Sequence, residues 1–192
     1  IAGEVYPLAP GITTVPLKPG TWEVVASRGF EYEIDSHTVT LTAGQTASWA
    51  PLLVRSVDTS GWIASDFHLH SEWSADSNVP LPMRVLACSA EGIEYAVATD
   101  HDVITDYAAR VPESIEDAIA IGIGAEVSTA AYGHINVWPL VPDPDRSGRG
   151  APQWHGLDFP ELMDLLDPEM PGRVVQVNHG RGESSSTLDT IN

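Results

Sequence analysis

Residues 93–99 form a near-continuous apolar run, broken only by Glu94, that stops abruptly on Asp100-His101-Asp102. A strand that is apolar at successive positions is covered on both faces, which is the habit of parallel sheets in α/β folds. Its neighbours in sequence fit that frame. Residues 63–69, 121–127, 134–140 and 173–177 read as further strands. Residues 80–90 read as a helix ended by Gly92, and 159–166 as another. Ser114 opens a third helix, with Asp117 as a weak capping partner. A Pro/Asp/Gly-rich loop runs from 141 to 156. Strand and helix largely alternate, so the expected architecture is a parallel sheet, open or closed into a barrel.

The first 62 residues have a different texture. Short β-rich runs at 21–27 and 30–34 meet at Arg28-Gly29, a hairpin signal. Residues 38–42 turn at Ala43-Gly44-Gln45 into a further run at 46–57. This is expected to be a small, partial antiparallel β unit, with the junction at Gly61-Trp62. A chain of 192 residues has room for one full domain, or for one small and one incomplete domain.

The formal charge is −18, and Lys18 is the only lysine. Such a surface repels nucleic acid and anionic membranes, so neither is expected as a partner. No apolar run reaches the ~18 residues of a membrane span. A lone cysteine, Cys88, excludes an internal disulfide framework and reads as a buried, inert thiol.

Chemistry concentrates where the strands end. In Asp66-Phe67-His68-Leu69-His70, residues two apart share a face, so His68 and His70 can hold one ion together. Asp66 shares that face as a ligand or as a partner that fixes an imidazole tautomer. Asp76 follows in a polar loop, where helix capping competes with ligation. Thr99-Asp100-His101-Asp102 closes the apolar strand, and consecutive polar residues there point to a ligand more than to a turn.

Glu126 follows Gly122-Ile123-Gly124-Ala125; a carboxylate in that setting is costly unless paired or bound to metal. Asn178-His179 ends another strand. His134 instead begins its strand, so either that boundary is displaced or the strand runs the other way. His37 reads as exposed. His155, beside Trp154, reads first as a loop residue and second as a substrate contact. No Gly-x-Ser-x-Gly nucleophile elbow and no phosphate-cradling loop with lysine is present.

Taken in order, Asp66-Phe67-His68-Leu69-His70, Asp76, Thr99-Asp100-His101, Glu126, His134 and Asn178-His179 resemble the PHP (polymerase and histidinol phosphatase) superfamily. Gly124-Ala125-Glu126-Val127-Ser128-Thr129 with Gly133-His134-Ile135-Asn136 is similar to its CehA/McbA-like branch. So is Gly61-Trp62 after a β unit containing Ser27-Arg28-Gly29. The resemblance implies a distorted (β/α)7 barrel over residues 63–192, incomplete in this chain and preceded by the small antiparallel β unit of residues 1–62.

It also implies two or three divalent ions, Zn, Mn or Fe. His68, His70 and Glu126 would hold the first. Glu126, His134 and His179 would hold the second, with Glu126 as the bridge. Asp76 and His101 would hold the third. The family's late Asp-x-His motif is absent before Asn192. The expectation is therefore a further C-terminal segment of the same protein supplying the missing ligand, with 183–187 as a plausible break.

The implied activity is that of a metal-dependent hydrolase using a metal-bridging hydroxide. Its substrate would be a small-molecule ester, and a phosphodiester or phosphotriester is favoured. A carbamate or carboxylic ester is the alternative, and a non-catalytic metal-binding module is the competing class. Arg181, two residues past His179, is a candidate contact for an anionic substrate oxygen and equally a solvated loop arginine.

Overall fold

The computed structural model describes residues 6–181. The 183–187 stretch lies outside the described residues. Among the described residues there are eight strands in three small sheets, and two α-helices. The expected (β/α)7 barrel is not what forms. Sequential strands need crossover connections, usually helices, to stay parallel, and among the described residues from 63 onward only two α-helices form. The rest of the chain turns back on itself.

β1 (Gly20–Ala26) pairs antiparallel with β2 (Asp35–Leu41). The hairpin expected across Arg28-Gly29 is corrected: residues 30–34 and 46–57 contribute only isolated bridges, such as Tyr32 with Arg55. Gly29 has another use. Its N–H donates to Glu91 Oε2 at 3.2 Å, and a Cβ there would collide with the Glu91 carbonyl. Glycine lets this loop rest directly on the end of the first helix.

β3 (Ser65–Leu69), β4 (Tyr95–Ala98) and β5 (Ala120–Ile123) form a parallel sheet in that order. Ala96, Val97 and Ala98 are fully buried, as an apolar run of this kind requires. α1 (Leu81–Ala90) crosses from β3 to β4 and buries Leu81, Val85 and Cys88 against that sheet. It ends in a Schellman arrangement. Gly92, at φ 75°, donates to Ser89 O, and Ile93 donates to Cys88 O. Burial raises the Cys88 thiol to about 11, in keeping with an inert core thiol. The helix expected from Ser114 is only a single 3-10 turn, Glu113–Ile115, without a side-chain cap.

β6 (Ala125–Thr129), β7 (Gly133–Trp138) and β8 (Val174–Val177) form an antiparallel sheet in that order. α2 (Phe159–Leu166) covers it, burying Leu162 and Leu166 on Val127, Ile135 and Val137. Its N-terminus is closed by a reciprocal pair, Asp158 with Glu161, that the sequence reading had not marked.

The strand expected at 121–127 is broken at Gly124, where β5 passes into β6. A Cβ there would lie 2.5 Å from Val137 O and 2.9 Å from Trp138 Cβ. Overpacking of that kind costs about 1–3 kcal/mol. Gly124→Ala is therefore expected to lower the thermal midpoint by several degrees; an unchanged midpoint would show that the crossing is looser than described.

Candidate metal centre

The two larger sheets meet along one line. Glu126 N–H donates to Asp100 O, and Asp102 N–H donates to Glu126 O, so the chain leaving β4 runs parallel beside β6. This seam brings the ends of β3 and β4 to the start of β7 and the end of β8. β7 is antiparallel to β6, with Ser128 opposite His134. That resolves the odd position of His134: a residue that starts an antiparallel strand sits at the same edge as the carboxyl ends of its neighbours.

Glu126 is the centre of the arrangement and is fully buried. Its Oε2 lies 3.1 Å from His68 Nε2, 2.8 Å from His70 Nε2 and 3.3 Å from His101 Nδ1. Its Oε1 lies 3.2 Å from His134 Nδ1 and 3.5 Å from His179 Nε2, and it accepts a hydrogen bond from Asn178 Nδ2 at 2.8 Å. Burial alone would raise this carboxyl. The hydrogen bonds from His68 and Asn178, with the His70 imidazole close by, outweigh it and hold Glu126 well below the usual carboxylate range.

Five imidazoles around one buried carboxylate make a donor set for cations. Two groups have ligand atoms within 4.8 Å of one another: His68, Glu126 and His179, and separately His70, His101 and Glu126. These residues can hold a metal ion. Ligand atoms around a tetrahedral ion with bonds of about 2.0–2.1 Å sit about 3.4 Å apart, close to the spacings above. The His70 Nε2 atom is buried 2.8 Å from Glu126 Oε2 yet lacks hydrogen-bond geometry to it. Such an atom fits a ligand better than a donor. Burial, with the neighbouring His101 and His179, keeps His134 below its ordinary value despite Glu126, which favours the neutral form that binds metal.

The grouping differs from the one the resemblance implies. His68 and His70 fall into different groups, although both face Oε2. Asp76 reaches His70 Nδ1 with both oxygens, at 3.0 and 2.9 Å, and stands 3.5 Å from His101 Nε2. It thus orients His70 from behind, as carboxylates commonly do for metal-binding imidazoles. Burial works against its ionisation, but hydrogen bonds from Ser74 and His70 lower it to about 2. Helix capping is not its role, since Pro80 precedes α1 and no side chain caps the helix.

Comparison with family models, curated proteins and solved structures returned no match.

The remaining polar residues of the motifs build the frame. Asp66 accepts from the His68 N–H at 3.0 Å and so fixes the strand rather than an imidazole. Asp100 is fully buried and accepts from Ser71 N at 2.6 Å, Ser71 Oγ at 3.0 Å and Tyr107 Oη at 3.0 Å, which pins the loop after His70. Arg84 Nε donates to His70 O at 2.7 Å from α1. Asp102 accepts from Ser128 N and Trp154 Nε1. Ser128 in turn hydrogen-bonds His101 Nδ1.

Sequence reasoning gave no role to Asn178 itself, nor to Asn136, which accepts from Asn178 Nδ2 and donates to Phe67 O. Their available signal was an amide next to a histidine and an amide within a buried strand. His155 stacks on Trp154 with ring centres 4.0 Å apart, and His37 on Trp49; neither belongs to the centre. Arg181 is the last described residue. No helix among the described residues is long and apolar enough to cross a membrane.

Proposed function

We propose that this chain is a metal-dependent hydrolase of small esters, with a phosphoester as the favoured substrate. The observation that carries the reading is Glu126: a buried, ionised carboxylate with imidazoles on both oxygens is suited to bridging two ions. Zn, Mn or Fe suits such nitrogen-and-carboxylate ligands. The PHP-like order of the ligands supports the same reading.

Divalent ions bound here would supply an activated water at neutral pH and positive charge for an oxygen that gains charge in the reaction. The chain's own residues do the rest. Glu126 keeps its charge. Asn178 holds Oε1 in place, and Asp76 holds the His70 ring so that Nε2 points inward. Ser128 fixes the His101 ring. No nucleophilic side chain is needed.

The test is turnover of bis(p-nitrophenyl) phosphate and of an aryl carbamate by the full chain, before and after chelation and after metal is restored. Diester hydrolysis lost on chelation and recovered on reloading is expected. Carbamate hydrolysis alone would move the assignment to carbamates, and turnover of neither by metal-loaded protein would leave a metal-binding module.

A further inference from the structure

We propose that Arg149, braced on Trp73, binds an anionic oxygen of the substrate and selects singly charged esters over neutral ones. This rests on the hydrolase reading above. Arg149 belongs to the loop after β7, far in sequence from the ligands, yet that loop is fastened to the centre. Ile104 N–H donates to Gly148 O at 2.9 Å, and a Cβ on Gly148 would strike the carbonyl of Asp102, the residue after His101. Gly148 and Arg149 are consecutive left-handed residues, at φ 58° and 56°. The turn thereby places the arginine against the segment that carries His101.

The guanidinium carbon lies 5.7 Å from the centre of the Trp73 ring. Trp73 belongs to the loop between His70 and Asp76. Ser71 on one side of it is tied to Asp100, and Ser74 on the other donates to Asp76 and accepts from His101 N. Arg149 therefore stands on the His70–Asp76–His101 side of the centre. Its Nε is buried with no hydrogen-bond partner among the described residues, and no described carboxylate pairs with it.

In a chain with 27 acidic residues against 9 basic ones, an arginine near so many carboxylates would ordinarily be paired. An aromatic face holds a guanidinium in place without consuming its donors. The free N–H fork is then available to a planar or tetrahedral oxyanion. The overall negative field repels polyanions, so a monoanion such as a phosphodiester is the best match.

The test uses the metal-loaded full chain and the variants Arg149→Gly and Arg149→Lys. Glycine adopts the left-handed conformation freely, so the first variant should fold. Three quantities are read: bound metal, the affinity for inorganic phosphate by calorimetry, and KM and kcat on bis(p-nitrophenyl) phosphate and on a neutral p-nitrophenyl phosphotriester. The expected result for Arg149→Gly is unchanged metal, phosphate binding about tenfold weaker or more, and a KM for the diester raised by a similar factor. Its kinetics on the neutral triester should be unchanged. Arg149→Lys should recover part of the loss.

Phosphate affinity and diester preference equal to those of the parent chain, at equal metal content, would overturn the proposal. If the parent chain binds metal but hydrolyses neither ester, the hydrolase reading fails by itself. Phosphate affinity then still decides the role of Arg149 as an anion site.

Discussion

Glu126→Gln is expected to abolish turnover and to reduce bound metal below that of any single histidine variant. The substitution keeps the shape and removes the charge. It also puts two N–H donors where imidazole nitrogens now stand 2.8–3.5 Å away. Removing one partner from a buried charged cluster costs about 3–5 kcal/mol, or roughly a thousandfold in an equilibrium or rate. Asp76→Asn should be milder, about 10–100-fold, because Asp76 is half-exposed and acts by orienting His70. Metal content and kcat/KM of the two variants measured side by side check the assignment. Equal losses would argue against a bridging role for Glu126.

The second large effect is on stability. Five imidazoles packed on one carboxylate crowd donors around a centre suited to cations, so ligand binding should be strongly linked to folding. An ion present at a hundred times its dissociation constant adds about 2.7 kcal/mol. For a chain of this size each kcal/mol is worth about 2–4 °C, so reloading chelated protein with metal should raise the thermal midpoint by roughly 5–10 °C. The increment should shrink as the pH is lowered, because protonated imidazoles release metal. A midpoint indifferent to chelator at neutral pH would contradict the account.

Much of the centre was legible in the sequence because its residues occupy costly positions. Glu126 in an apolar strand and His101 at the end of another demand compensation, and few environments provide it. Period-two spacing put His68 and His70 together. The helices at 81–90 and 159–166 were legible for local reasons, a glycine stop and an apolar face.

What was not legible depends on partners distant in the chain. The barrel fails because β7 and β8 run antiparallel to their neighbours, and strand polarity carries no local mark. The hairpin expected at Arg28-Gly29 keeps its antiparallel sense but not its partner: β1 pairs five residues further on, at Asp35–Leu41 rather than at 30–34. Gly124 divides one apolar run into two strands because Val137 and Trp138 pass close by, which only the folded chain reveals. Likewise Asp100, marked in sequence only as part of a polar cluster, is buried and held by Ser71 and Tyr107, which nothing in sequence singles out.

The most direct test of the central claim is elemental analysis of the full chain purified without chelator, paired with its hydrolase activity. More than one equivalent of transition metal per chain, removed together with activity by chelation, is the expected result. A chain that is fully active while holding no metal would contradict it.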